Sequence, residues 1–145
     1  MNSLTATPFN TRTYILVTLI VSLWVHASET FRYFLFIIPE MQSFLAPLEN
    51  VAPISLPIFV IWGVWDTLLT GMVVLMYWLY TRHFGSSIRS VATTGILSWL
   101  FFFVLFWIGM WNMNLASPKA LGIALPLSLM EMVVASFLAH WLYKR

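Results

Sequence analysis

Apolar residues fill four long runs of this chain, and short polar stretches separate the runs. The runs predict membrane spans at about residues 14–38, 54–80, 91–113 and 120–143. A helix needs about 20 mostly apolar residues to cross the ~30 Å hydrocarbon core of a bilayer, and each run meets that requirement. The pattern therefore predicts an all-α integral membrane protein, with residues 1–145 forming one domain, a bundle of four transmembrane helices.

Proline residues indicate where the first two spans end or begin. Pro39 is expected to end the first span, because a proline cannot continue a regular helix. The stretch 40–53 contains Pro47 and Pro53 and is expected to be an irregular loop. Pro57 falls in the first turn of the second span, where the missing N–H costs little.

The first span has an alternative interpretation as a cleaved signal peptide. Arg12, the apolar run after it and the triplet Val25-His26-Ala27 resemble a signal sequence with a small-residue cleavage site. Cleavage there would leave the apolar segment FRYFLFIIP exposed near the start of the mature chain. A retained first span is therefore the preferred interpretation.

The composition supports a chain surrounded by lipid. Hydrophobic residues make up 61% of the sequence and charged residues 8%, whereas a soluble domain has about a quarter charged residues. Cysteine is absent, which excludes disulfides and thiolate metal sites. No basic tract suggests nucleic acid as a partner. The lipid bilayer is the expected partner.

The distribution of basic residues predicts the orientation of the chain. Lys and Arg accumulate in cytoplasmic loops of membrane proteins. With four spans, five basic residues fall on the side of both termini and one, Lys119, falls on the other side. The five are Arg12, Arg82, Arg89, Lys144 and Arg145. Both termini are therefore expected in the cytoplasm (N-in/C-in), with the bacterial inner (cytoplasmic) membrane as the default location.

Five ionisable residues interrupt the apolar spans: His26, Glu29, Arg32, Asp66 and Glu131. A charge at the centre of a bilayer costs at least about 2.5–3.5 kcal/mol, so each residue needs a partner or a purpose. A rise of 1.5 Å per residue places the three acids roughly 12–16 Å below the outer membrane boundary. They are expected to converge near the midplane. Two uncompensated negative charges there are unfavourable, so we expect at least one carboxyl to hold a proton at neutral pH.

Helical spacing selects the side chains that accompany these groups. His26, Glu29 and Tyr33 are three and four residues apart and form one stripe on the first helix. Trp62, Gly63, Asp66 and Thr70 share a face of the second helix. Glu29, Asp66 and Glu131 are the candidate catalytic residues. The candidate ligand-binding residues are His26, Arg32, Tyr33, Trp62, Trp65, Thr70 and Trp99.

These features favour two functional hypotheses. In the first, the midplane cluster binds a small lipophilic molecule and converts it by acid–base chemistry, because apolar pockets with a few convergent polar groups are typical ligand sites. In the second, the chain is a non-catalytic subunit or assembly factor of a membrane complex or a homo-oligomer. The sequence leaves open whether any reaction is catalysed.

Metal binding and transport are weaker hypotheses. His26 and Glu29 place two kinds of metal ligand one turn apart, but a di-iron bundle needs the Glu-x-x-His spacing twice and two further Glu. No metal and no cofactor are expected. Acids at one depth suit a proton relay. However, four spans without a repeat, and with only Pro126 as a possible helix break, leave little room for alternating access.

Overall fold

The computed structural model describes residues 9–47 and 54–144. Within these ranges all regular structure is helical, and four helices are long and apolar enough to cross a membrane. They are α1 (Thr11–Leu45), α2 (Leu56–Phe84), α3 (Ile88–Asn112) and α4 (Pro118–Tyr143). The prediction of an all-helical chain with four helices of spanning length is confirmed. The expected loop at 40–53 lies partly outside the described residues, including Pro53.

Two of these helices contain a widened turn. In α1, α-helix at Thr11–Arg32 is followed by a π-helical turn at Tyr33–Ile37 and by α-helix at Ile38–Leu45. In α3, α-helix at Ile88–Trp99 is followed by a π-helical turn at Leu100–Val104 and by α-helix at Leu105–Asn112. Such turns occur frequently at functional sites.

Helix α1 does not end at Pro39, as expected from the sequence, but continues to Leu45. In a regular α-helix the ring of proline collides with the carbonyl four residues earlier. Here a π-helical turn precedes the proline, and the N–H of Ile38 bonds to the carbonyl of Tyr33, five residues earlier. We attribute the continuation to this turn, which widens the helix at the point where the proline ring needs room.

The four helices form an antiparallel bundle in which α1 contacts α2 and α4, and α3 contacts the same two helices. The pairing of α1 with α2 shows the opposite directions. Near one end Tyr14 donates a hydrogen bond to the carbonyl of Gly71 over 3.0 Å, and further along α1 Tyr33 packs against Trp62. Helices α3 and α4 approach closely at Gly95, where a Cβ would lie 2.8 Å from the Cα of Val133.

Small and β-branched residues fill the interior of the bundle. They include Val21 and Val25 on α1, Val73 on α2, and Ala124 and Ala135 on α4, all at most 1% exposed. Large apolar side chains are exposed on the outer faces of all four helices, for example Leu23, Leu68, Leu105 and Met130. An outside as apolar as the inside suits a bundle surrounded by hydrocarbon.

The two ends of the bundle differ in charge. The end at which α1 begins and α4 ends, here called the terminal end, holds the basic residues Arg12, Arg82, Arg89 and Lys144. At the opposite end Glu40 accepts a hydrogen bond from Ser117 over 2.8 Å and forms an ion pair with Lys119 over 2.6 Å. Basic charge without an acidic counterpart is therefore concentrated at the terminal end of the described chain.

Candidate functional site

A cleft of about 70 Å³ lies between α1 and α2. The middle of α1 supplies His26, Glu29, Thr30 and Tyr33, and the first half of α2 supplies Phe59, Trp62, Gly63 and Asp66. Phe59 and Trp62 are each 40% exposed, so two of the lining rings also reach the outer surface of the bundle. This set is called the α1–α2 cleft.

Gly63 gives the α1–α2 cleft its room. A Cβ at this position would lie 3.6 Å from Nε2 of His26, which is an ordinary contact distance. A longer side chain would extend into the space between the two helices. A glycine one turn before Asp66 on the helix therefore leaves open the space in front of the imidazole ring.

His26 has an unpaired ring nitrogen. Its Nε2 lies 3.5 Å from the hydroxyl oxygen of Thr67, and that hydroxyl donates its own proton to the carbonyl of Gly63 over 2.8 Å. Because the Thr67 hydroxyl donates to Gly63, its oxygen can act as an acceptor toward Nε2. Nδ1 is buried and has no partner among the described residues.

Aromatic rings form two walls of the cleft. The rings of Tyr33 and Trp62 meet edge to face, with centroids 4.7 Å apart and planes 82° apart. Phe59 lies on the same side, 6.4 Å from the ring of Phe34. Tyr33 is the first residue of the π-helical turn of α1, so the widened turn begins at the wall of the cleft.

An ion cluster lies next to the cleft, inside the bundle. Arg32 forms an ion pair with Glu29 on its own helix, and its Nη1 is 3.4 Å from Oε2 of Glu131 on α4. The guanidinium carbon also lies 4.9 Å from the ring centroid of Phe103 on α3. The Arg32 cluster (Glu29, Arg32 and Glu131) therefore joins α1 to α4, and Phe103 adds a contact with α3.

Two further side chains of α1 hold Glu131 in place. Ser28 donates a hydrogen bond to Oε2 of Glu131 over 2.9 Å, and the indole N–H of Trp24 donates to the Glu131 carbonyl over 3.2 Å. The other carboxyl oxygen, Oε1, is buried without a partner among the described residues. Buried polar atoms normally have a hydrogen-bond partner, and Oε1 of Glu131 is an exception to this rule.

Glu29 belongs to both sets of residues. It lines the α1–α2 cleft and pairs with Arg32, so that the cleft and the Arg32 cluster share one carboxylate. Asp66 lies on the opposite wall of the cleft and makes no side-chain hydrogen bond within the described part of the chain. Of the three acids expected to converge, Asp66 therefore lies in the cleft, Glu131 lies in the Arg32 cluster, and Glu29 belongs to both.

The structure places the predicted site residues in three locations. His26, Glu29, Tyr33, Trp62 and Asp66 line the cleft, and Arg32 and Glu131 lie beside it. The remaining three, Trp65, Thr70 and Trp99, lie away from it and are not among its lining residues.

Each of those three side chains has another environment. Trp65 is 67% exposed on the outer face of α2. Thr70 is buried, and its hydroxyl donates to the carbonyl of Asp66 over 2.7 Å within its own helix. The indole N–H of Trp99 donates to the carbonyl of Leu125 over 2.8 Å and so connects α3 to α4.

Sequence reasoning missed three residues of this region, namely Ser28, Thr30 and Phe59. Ser28 and Phe59 could have been found, because Ser28 is four residues before Arg32 and Phe59 three before Trp62. The contact of Phe103 with Arg32 depends on how α3 is rotated about its axis, for which the sequence contains no signal.

No group of three or more His, Asp or Glu side chains within residues 9–47 and 54–144 is arranged to hold a metal ion. No family model, no curated protein and no solved structure matches this chain. The fold defines a helical protein with four helices long and apolar enough to span a membrane. The function must therefore be argued from the geometry of the site.

Proposed function

We propose that this chain is a multi-pass membrane protein with both termini in the cytoplasm, and that it binds a small lipophilic molecule in the α1–α2 cleft. The orientation is supported by the four basic residues at the terminal end, since Lys119 at the opposite end is paired with Glu40. An excess of Lys and Arg favours the cytoplasmic side. The apolar outer faces support membrane insertion.

The observation that carries the proposal is the exposure of two rings that line the cleft. Phe59 and Trp62 are each 40% exposed on α2, a helix long and apolar enough to span a membrane, so the cleft would open toward lipid once the bundle is inserted. A molecule that enters through this opening must partition into lipid first. The polar groups inside the cleft would then receive the polar part of that molecule.

The size of the cleft supports binding of a head group rather than of a whole molecule. Drug-sized ligands occupy pockets of about 300–1,000 Å³. The cleft offers about 70 Å³, so the rest of a ligand would lie outside, along the exposed rings of Phe59 and Trp62. This arrangement suits an amphiphile with a small polar head.

Polar groups in such a cleft also suit acid–base chemistry. Glu29 and Asp66 face the same space from opposite helices, and His26 adds a third group that can exchange protons. Glu29 forms an ion pair with Arg32, whereas the described residues give Asp66 no such partner. Two carboxyls in different environments are the usual arrangement for one acid and one base.

Mass spectrometry of gently purified protein tests the proposal. Wild type, Asp66→Asn and Trp65→Phe would be extracted into lipid nanodiscs, and bound small molecules would be identified. We expect one lipophilic molecule per chain in wild type and in Trp65→Phe, which changes an outward-facing ring. We expect that molecule to be lost from Asp66→Asn.

An empty wild type would contradict the proposal. Glu131→Gln should then be compared by thermal unfolding. Suppose that the wild type is empty and that Glu131→Gln and Asp66→Asn only lower the unfolding temperature. The polar residues then stabilise the bundle and do not bind a ligand. That result would favour a non-catalytic subunit or assembly factor.

A further inference from the structure

Carboxyl groups outnumber guanidinium groups around the α1–α2 cleft. Three carboxyl groups, those of Glu29, Asp66 and Glu131, occupy this level of the bundle with the single guanidinium of Arg32. Arg32 is only 4% exposed, and its guanidinium already contacts Glu29, Glu131 and the ring of Phe103. It is therefore not available to an anionic ligand in the cleft. Asp66 is left without a cationic side chain in contact among the described residues.

The Asp66 carboxyl group lines the cleft without a hydrogen-bond partner. It accepts no hydrogen bond from the described residues. A ligand that matches an ionised carboxylate must bring donors. A ligand that brought only acceptors would leave this carboxylate unsatisfied in a site of low polarity.

The aromatic walls favour the same kind of head group. The faces of Trp, Tyr and Phe rings attract cations, and Trp does so most strongly. Tyr33 and Trp62 form a corner of two nearly perpendicular rings, and Phe59 extends it. A carboxylate beside such a corner combines the two interactions that recognise an ammonium group.

From these observations we infer that the ligand of the α1–α2 cleft is an amphiphile with a cationic amine head. The inference rests on the proposed function and adds the chemical class of the ligand. The ammonium group lies between the Asp66 carboxylate and the Tyr33–Trp62 corner, and it donates hydrogen bonds to Asp66. The alkyl chain leaves the cleft past Phe59 and runs along the outside of α1 and α2. A cleft of about 70 Å³ accommodates such a head but not a fused ring system.

Equilibrium binding of two matched probes tests this inference. Radiolabelled dodecylamine, which is cationic at neutral pH, and dodecanol have the same chain and differ in head group. Each would be titrated against the chain in phosphatidylcholine nanodiscs, and binding to empty nanodiscs would be subtracted. We expect saturable binding of one dodecylamine per chain, with dodecanol at least about tenfold weaker.

Two pairs of variants locate the preference in the cleft. Asp66→Asn should reduce the affinity for dodecylamine to about that for dodecanol, and should leave dodecanol binding unchanged, because it removes charge and keeps shape. Trp62→Leu should weaken dodecylamine binding, whereas Trp65→Leu, three residues away on the outer face, should not. Size-exclusion profiles and thermal unfolding of all variants would show that they are folded.

Each other outcome overturns the inference in a distinguishable way. Equal saturable binding of both probes in wild type, unaffected by Asp66→Asn but weakened by Trp62→Leu, would mean that the cleft binds lipophiles without selecting a cation. In that case binding in the cleft stands, whereas the amine class and the expected loss of ligand from Asp66→Asn are wrong. If neither probe binds saturably to wild type, the amine inference fails together with binding in the cleft.

Discussion

Arg32 on α1 and Glu131 on α4 form an ion pair across the interior of the bundle, with 3.4 Å between Nη1 and Oε2. Their side chains are 5% and 0% exposed, so the pair is sealed from its surroundings. Glu29 also pairs with Arg32, and Ser28 donates to Glu131. The pair thus connects α1, which lines the cleft, with α4, which does not. We therefore expect it to contribute to the free energy of unfolding of the bundle.

Removal of Arg32 should destabilise the bundle more than removal of Glu131. Arg32→Met leaves the buried carboxyl of Glu131 and the partly buried carboxyl of Glu29 without a cation, and breaking a buried pair in this way costs about 3–5 kcal/mol. Glu131→Gln should cost less, because Arg32 keeps Glu29 as a partner. The free energy of unfolding in a mixed-detergent titration measures the difference. Arg89→Met, an exposed arginine at the terminal end, serves as the control and should change stability by about 1 kcal/mol or less.

Gly95→Ala should loosen the contact between α3 and α4. The added methyl would lie 2.8 Å from the Cα of Val133, a backbone atom that cannot move away without shifting the helix. Overpacking of this kind costs about 1–3 kcal/mol. Gly109→Ala, on the same helix but with nothing within 4 Å of the new methyl, is the matched control. It should leave the unfolding free energy unchanged or raise it, and equal effects of the two variants would contradict the described packing.

Gly63→Ala should reduce ligand occupancy while the fold is retained. The new methyl would lie 3.6 Å from Nε2 of His26, which is ordinary van der Waals contact, and it takes up space in the cleft. Mass spectrometry of the purified variant should show less bound lipophile than wild type, at an unfolding temperature at least as high. Gly122→Ala adds a methyl in open space elsewhere and should bind as wild type does. Full occupancy in Gly63→Ala would place the ligand outside the cleft.

The absence of native cysteine allows a direct test of the orientation. Ser86→Cys lies in the α2–α3 connection at the terminal end, and Met113→Cys lies just after α3 at the opposite end. Both positions are exposed, and neither substitution changes the charge. In bacterial spheroplasts that produce each variant, an impermeant maleimide should label Met113→Cys at once and Ser86→Cys only after lysis. The reverse pattern would contradict the cytoplasmic placement of the termini.

The number of helices and part of the cleft could be predicted from the sequence because they depend on local spacing. The i+3 and i+4 spacings of His26, Glu29 and Tyr33 place these residues on one face of α1, and the structure has all three in the cleft. The path of α1 beyond Pro39 could not be predicted, because it depends on a π-helical turn that no residue type marks.

The rotation of each helix about its axis was the hardest feature to predict. In a soluble helix, polar residues mark the outer face, but here both the interior and the outside are apolar, so periodicity distinguishes them poorly. Trp65 and Trp62 are three residues apart and similar in sequence context, yet Trp62 lines the cleft and Trp65 faces outward. Phe103 contacts Arg32 because of the way the helices pack against each other, and that packing cannot be read from one sequence.

The most direct test of ligand binding in the α1–α2 cleft is photolabelling with a lipophilic probe from within the bilayer. A long-chain amine with a diazirine near its head group would be equilibrated with the chain in nanodiscs and irradiated, and the labelled residues would be mapped by peptide sequencing. If the ligand binds in the α1–α2 cleft, we expect labelling to be concentrated at residues 26–33 and 59–66 and to be suppressed by excess dodecylamine. Labelling spread evenly over the outer faces of all four helices, and unaffected by the competitor, would contradict it.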